Sequence, residues 1–214
     1  MEGRPVVLVL AGVNGAGKSS VGGWHLESLG IGREDWYNPD DVTRRYVAEG
    51  LPLDEANSRA WHEGRERLEI ALAQRKSHAF ETTLGANTIP GLLVRAAETH
   101  DVVMWFCGLD SPERHIARVR ARVARGGHHI EESKIRARCE SSIRNLIDLL
   151  PHLAVLGVYD NSEEAGADDV VPTPRLVLQV EDGDVLHPVD ADDLARTPTW
   201  AMPVVERALQ LASR

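Results

Sequence analysis

The stretch from Gly12 to Ser19 constrains this chain more than any other. Gly12, Gly17 and Lys18-Ser19 match the pattern G-x-x-x-x-G-K-[ST], in which successive backbone N–H groups surround a phosphate. The following helix adds the positive end of its dipole, the lysine reaches the β- and γ-phosphates, and the serine hydroxyl binds Mg²⁺. The motif therefore predicts a nucleotide-phosphate site formed by Gly12, Asn14, Gly15, Ala16, Gly17, Lys18, Ser19 and Ser20.

Such a loop requires a buried strand before it and a helix after it. Residues 5–10 form a short apolar run rich in valine and leucine, which is typical of a central parallel strand. Residues 19–29 contain no proline, and Gly30 stands where a helix would end. A chance match in a glycine-rich turn would have no reason to carry these flanks, so we expect nucleotide binding.

Length, composition and charge limit the classes of protein to which this chain can belong. A chain of 214 residues with 43% hydrophobic and 27% charged residues is typical of one soluble globular domain. The formal net charge of −9 disfavours a broad nucleic-acid-binding face. No apolar run approaches the ~18 residues that a membrane span needs. The first strand begins without a cationic leader, so we expect a cytoplasmic protein without nucleic-acid or membrane partners.

The two cysteines are consistent with the expected cytoplasmic location. Cys107 lies in an apolar strand-like run and Cys139 in a helical stretch. We expect two reduced core thiols, and a metal or redox role is the alternative.

The order of predicted elements indicates an α/β fold with a mostly parallel sheet flanked by helices. A core over residues 1–162 and a C-terminal appendage over 163–214, made of a loop, a β-hairpin and a helix packed on the core, are predicted. Strands are expected near 5–10, 35–37, 77–83, 101–109, 154–159, 176–180 and 185–187, and helices over 19–29, 42–49, 54–76, 89–98, 112–125, 131–150 and 199–213.

Asp40 follows the second predicted strand, at the sheet edge where ligands bind in open α/β folds. A carboxylate there can take the proton from an acceptor hydroxyl or help hold Mg²⁺ through water. The structural alternative is an N-cap for the helix over 42–49, which Asp40 or Asp41 would serve equally.

Glu81 and Thr83 end the next predicted strand. Side chains two residues apart point to one face of a strand, so the pair can hydrogen-bond an acceptor's hydroxyls together. The alternative is that these residues only cap the strand and hold the following loop.

A helix rich in arginine begins at Ser111-Pro112, a typical N-cap and first-turn pair, and ends at Gly126-Gly127. A basic helix of this kind can act as a lid whose cations neutralise charge in phosphoryl transfer. The alternative is a solvated basic face, which we prefer for Arg114 and Arg120, whereas the lid role is expected for two of the three residues Arg118, Arg122 and Arg125. His128 and His129 are expected to be loop residues, since they lack companions for a zinc site.

Together these motifs resemble the zeta-toxin family of P-loop kinases over residues 6–162. The resemblance rests on residues 12–20, 38–40, 80–84, 118–123 with 126–128, 142–146 and 158–162. It implies ATP-dependent phosphorylation of a sugar hydroxyl, that of UDP-N-acetylglucosamine in the toxins. Asp40 falls on the family's catalytic base, Glu81 and Thr83 on its sugar-nucleotide contacts, and the arginine helix on its ATP-phosphate contacts. The chain departs from the family at Gly85, where the toxins have a substrate-binding arginine.

The sequence thus predicts an ATP- and Mg²⁺-dependent kinase of a small hydroxylated metabolite, with Lys18, Asp40 and the lid arginines as catalytic residues and Ser19 on the metal. The family resemblance also implies a protein partner, an antitoxin. The alternatives are a kinase for an antibiotic, nucleotide or polyol, and a nucleotide-binding regulator without transfer activity.

Overall fold

A computed structural model describes residues 3–18, 21–22, 35–164 and 172–213 of the chain. The predicted helix over 19–29, apart from residues 21 and 22, lies outside the described residues. Ser19 and Ser20 of the phosphate-loop motif lie outside them too.

The strands form one sheet in the order β2-β3-β1-β4-β5-β6-β7. The first five in this order are parallel, whereas β6 and β7 pair antiparallel to their neighbours. The alternation of strand and helix therefore gave the mostly parallel sheet that was expected, and the α/β fold class is confirmed. The strands are β1 (Val6–Ala11), β2 (Trp36–Tyr37), β3 (His78–Thr82), β4 (Asp101–Gly108), β5 (Val155–Asp160), β6 (Arg175–Glu181) and β7 (Asp184–His187).

The helices flank this sheet, and the largest buried cluster joins them to it. That cluster combines strand residues such as Val9 and Phe106 with Leu68, Leu93 and Leu146 from three helices. The helices are α1 (Pro39–Ala48), α2 (Leu53–Gln74), α3 (Thr88–Ala96), α4 (Pro112–Ala124), α5 (Glu132–Leu149), α6 (Ala191–Ala195) and α7 (Met202–Ala212), with a 3₁₀ turn at Leu150–His152.

The C-terminal hairpin and helix build onto the same sheet and core. Strand β6 extends the sheet beyond β5, and Val177 and Leu178 join the main buried cluster together with Val204 and Val205 of α7. Hairpin strands that are half apolar can complete a sheet in this way because their inner face is then removed from water.

The expected start of α1 was wrong. The helix begins at Pro39 instead of residue 42, and its N-cap is Asn38, not Asp40 or Asp41. The Asn38 side chain accepts a hydrogen bond from the Asp40 backbone N–H at 2.9 Å, while Pro39 occupies the first helical position, where its missing N–H costs nothing. The Asp40 side chain is thereby left for other contacts.

Across the described ranges, no helix has the length and apolar content that crossing a membrane requires.

Candidate active site at the carboxyl ends of the strands

The loop after β1 has the backbone that its glycines predict. Gly12, Gly15 and Gly17 have φ angles of 141°, 82° and 87°, in the region that side-chain-bearing residues rarely adopt. The Gly12 N–H donates to the Thr82 carbonyl at 3.2 Å, which ties the loop to β3. Lys18 is already helical, so the loop leads straight into a helix N-terminus, the arrangement that binds phosphate.

Neighbouring elements hold this loop in place. The Asn161 Nδ2 donates to the Ala16 carbonyl at 2.8 Å. From α4, the buried His115 donates through Nδ1 to the Asn14 carbonyl at 2.9 Å. Burial lowers the pKa of His115 from 6.5 to about 4, so that the ring is neutral at pH 7. The loop is therefore fixed before a nucleotide arrives.

His115 should make the protein less stable in mild acid. As the pH falls below 6.5, the His115 ring binds a proton in the unfolded chain. In the folded chain the ring binds this proton only near pH 4. The free energy of unfolding should fall across that window by up to about 3 kcal/mol through this residue. Urea denaturation of His115→Gln should show a smaller loss between pH 7 and pH 4 than the wild type. The exposed His152→Gln is the matched control, and an unchanged pH dependence in His115→Gln would contradict the assignment.

Asp40 and Glu81 are brought together by Asn38. The Asn38 Oδ1 caps α1 at Asp40, and its Nδ2 donates to Glu81 Oε1 at 3.0 Å. Glu81 is buried, and its backbone pairs with Leu10 of β1 just before the phosphate loop. Thr83 lies one residue beyond the end of β3 and lines the same cavity as both carboxylates. Sequence reasoning treated Asn38 only as a turn residue, although an Asn-Pro pair before a helix is itself an N-cap signal.

The arginine-rich helix α4 and the residues just after it contact the Asp40 carboxylate. Arg122 Nη1 lies 3.0 Å from Asp40 Oδ2, and His128 Nε2, just past the end of α4, lies 3.7 Å from Asp40 Oδ1. The Nε and Nη2 atoms of Arg122 are buried and have no hydrogen-bond partner in the part of the chain that the structure describes. Buried guanidinium donors are costly without an acceptor, so the ion pair with Asp40 leaves part of the hydrogen-bonding capacity of Arg122 unused among the described residues.

The other arginines of this segment lie in two kinds of surroundings. Arg118 donates to the Asn161 carbonyl at 2.8 Å, beside the phosphate loop, and Arg125 is exposed at the end of the helix. Arg114 pairs with Asp110 and Glu164, and Arg120 pairs with Glu132, so both belong to surface ion pairs.

Arg138 of α5 is a site residue that sequence reasoning missed. Its Nη1 donates to Asn14 Oδ1 of the phosphate loop at 2.6 Å. Its stem lies against Gly85, where a Cβ atom would come within 2.7 Å of Arg138 Cγ. The glycine at position 85 thus makes room for a cation from another helix. Burial lowers the pKa of the Arg138 guanidinium from its ordinary value.

Two cavities meet at Asp40. One, of about 870 Å³, lies between α1 and α4 and is lined by Arg118, Arg122 and Arg125. The other, of about 620 Å³, is lined by Asn14 and Lys18 at one end and by Glu81, Thr83 and Arg138 along its side. Asp40, Thr43, Leu53 and His128 line both.

The residues present fit a nucleoside triphosphate and its metal. The glycine loop offers backbone N–H groups, and Lys18 and Arg138 supply cations to the same cavity. Mg²⁺ takes oxygen ligands, usually from one or two side chains and the phosphates themselves. Asp40 and Glu81 bring oxygen donors to this cavity, while the predicted ligand Ser19 lies outside the described residues. Among the residues that are described, no cluster of three or more His, Cys, Asp and Glu side chains could hold a metal alone.

No family model and no curated protein sequence matches the chain. Solved structures do match. The AvrRxo1-ORF1:-ORF2 complex with ATP has a TM-score of 0.66 at 16% identity over 92% of this chain, which spans 64% of that chain. The PezAT chromosomal toxin-antitoxin system of Streptococcus pneumoniae has a TM-score of 0.53 at 12% identity, over 99% of this chain and 85% of that one.

A third solved structure is a putative kinase from Chloroflexus aurantiacus, with a TM-score of 0.51 at 13% identity over 64% of this chain and 78% of that one. At these identities the likeness concerns the fold. The chain has the fold of the zeta-toxin-like P-loop kinases that its motifs resemble.

Proposed function

We propose that this protein is an ATP- and Mg²⁺-dependent kinase that transfers the γ-phosphate to a hydroxyl group of a small molecule. The observation that carries the proposal is the placing of Asp40. Asp40 lines the same cavity as Lys18, Glu81 and Thr83. Its carboxylate forms an ion pair with Arg122 of α4 at 3.0 Å. A protein that only bound a nucleotide would not need this arrangement beyond its phosphate loop.

On the donor side, the loop from Gly12 to Ser20 and Lys18 would hold the β- and γ-phosphates. Bound Mg²⁺, with Ser19 as a ligand, would neutralise charge on the phosphate oxygens. Arg122, together with Arg118 and Arg125 lining the same adjoining cavity, would stabilise the transferring group.

On the acceptor side, Asp40 would orient the hydroxyl and take its proton as the new O–P bond forms and the bond from the γ-phosphorus to the bridging oxygen breaks. The products are the phosphorylated acceptor and ADP. Glu81 and Thr83 would hydrogen-bond neighbouring hydroxyls. Asn38 would position the Glu81 carboxylate through its bond at 3.0 Å and the Asp40 backbone through the N-cap bond at 2.9 Å.

Arg138 would contact the transferring phosphate beside Asn14. We expect Arg138→Gln to lower kcat/KM for the acceptor reaction by about a hundredfold, because one preorganised cation of the transition state is lost. Steady-state kinetics with ATP and the acceptor would measure this. Arg136→Gln is the matched control, since Arg136 lies on the same helix but is half exposed and pairs with Glu113. Equal kinetics in the two variants would remove Arg138 from the site.

The acceptor is proposed to be a hydroxylated metabolite of the sugar-nucleotide kind, such as UDP-N-acetylglucosamine. The family resemblance supports this class, and a cavity of about 620 Å³ is large enough for a molecule of that size. Other acceptors, including antibiotics, nucleotides and polyols, use the same machinery and are separated by the experiment below.

A protein partner of the antitoxin kind is also proposed. The support is that similar structures are a toxin-antitoxin system and an ORF1:ORF2 complex. A cytoplasmic location is supported by Cys107 and Cys139, which form no disulfide.

Incubation with γ-labelled ATP and a bacterial small-molecule extract tests the proposal. Label should appear on a small organic compound, and Asp40→Asn should not produce it. If ATP binds and no compound becomes labelled, the protein is instead a nucleotide-binding regulator. Isolation of the labelled compound would identify the acceptor.

A further inference from the structure

Trp61 of α2 lines the cavity that also contains Asp40. The residue is 40% exposed, and this concave site is lined in part by its side chain. The proposed kinase mechanism uses Lys18 and Asp40 of this cavity and gives Trp61 no role.

The surroundings of Trp61 are aromatic. Aromatic residues make up 5% of the chain, but Tyr37, Trp61 and Phe80 all line this cavity. Gly64 lets α2 come close to the sheet, since a Cβ atom there would lie 2.5 Å from the Tyr37 ring. The Tyr37 hydroxyl donates to the Ala60 carbonyl, which fixes the ring against the same helix. The indole therefore stands on a rigid support.

Arg65 adds a cation beside Trp61 in the lining of this cavity. Its guanidinium lies over the Trp61 ring, 5.6 Å from the ring centroid. Its Nε atom is buried and forms an ion pair with Glu69 Oε2 at 3.8 Å. A flat ring would stack on the indole, and acceptor atoms on its edge would be attracted to the Arg65 cation.

We propose that Trp61 and Arg65 form a specificity subsite for a planar, unsaturated ring of the acceptor. The inference rests on the proposed kinase function, because it assigns the reacting hydroxyl to Asp40 and the ring to Trp61 in one cavity of about 620 Å³. A small aliphatic polyol would leave the indole in contact with water, so the subsite selects against that class of acceptor.

Ligand-observed NMR with a fragment library tests the subsite without any turnover. The library pairs planar, unsaturated rings with saturated rings of similar size, and the variants are Trp61→Ala, Trp61→Phe and Arg65→Gln. We expect planar fragments to bind preferentially to the wild type and about tenfold more weakly to Trp61→Ala, with Trp61→Phe retaining most of the binding. Ile70→Ala is the matched control, because Ile70 is an exposed apolar residue of the same helix that does not line the cavity.

Equal binding of planar and saturated fragments, or planar binding that Trp61→Ala leaves unchanged, would overturn the subsite. Thermal denaturation of each variant shows whether a loss is due to unfolding, and Trp61→Phe decides the matter if Trp61→Ala does not fold. Asp40→Asn should keep fragment binding while losing phosphate transfer. Ring binding without transfer in the wild type would therefore contradict the kinase function and not the subsite.

Discussion

Asp40→Asn is expected to lower the rate of phosphate transfer about a thousandfold, which is within the range that a general base contributes. Asparagine has nearly the same size and can still meet Arg122, but its amide cannot take the proton of the acceptor hydroxyl. ATP affinity should stay within about twofold, because the loop and Lys18 hold the phosphates and the lost ion pair is partly exposed to solvent. Single-turnover transfer and equilibrium ATP binding, measured on the same preparation, would show the separation.

Asp41→Asn is the matched control for this experiment. Asp41 also lies in the first turn of α1, but it pairs with Arg44 at the surface and lines neither of the two cavities that meet at Asp40. We expect it to transfer phosphate like the wild type. Transfer that survives in Asp40→Asn, or that is lost equally in Asp41→Asn, would show that Asp40 is not the base.

Lys18→Met should affect both ATP binding and transfer. Lys18 is the loop's own cation and lines the same cavity as Asn14 and Asp40, where the proposed transfer would develop charge on the phosphate. Removing one such group typically costs a factor of about 10² to 10³ in rate, and we expect ATP affinity to fall by about tenfold as well. Calorimetric titration with ATP and single-turnover kinetics measure the two losses separately.

The control for Lys18 is Lys76→Met, which removes a lysine from an exposed turn far from the loop in sequence. It should bind ATP and transfer phosphate normally. Wild-type ATP affinity in Lys18→Met would place the triphosphate elsewhere in the protein.

The parts of the site that lie at strand ends could be predicted from the sequence. The apolar run before Gly12 identified β1, and the alternation of helix and strand implied a parallel sheet. Parallel strands end at one edge, so Asp40 after β2 and Glu81 in β3 had to come near the phosphate loop. The structure places them in one cavity and adds the link through Asn38.

Residues that reach the site from helices could not be found in this way. Arg138 lies in the middle of α5, and helical periodicity alone does not say which of several arginines faces the phosphate loop. Only the packing of its stem against Gly85 and its hydrogen bond to Asn14 show that this arginine reaches the phosphate loop. The position of Trp61 could not be predicted for a similar reason. An aromatic residue on a helix normally indicates core packing, and the place of Trp61 in the cavity depends on how closely α2 approaches Tyr37.

The most direct test of the kinase function is ³¹P NMR of the wild-type protein with ATP, Mg²⁺ and the bacterial small-molecule extract. Transfer to a hydroxyl predicts a new phosphomonoester resonance that grows in equal amount with ADP and is absent with Asp40→Asn. ADP accompanied only by inorganic phosphate, or bound ATP that remains unchanged, would contradict it.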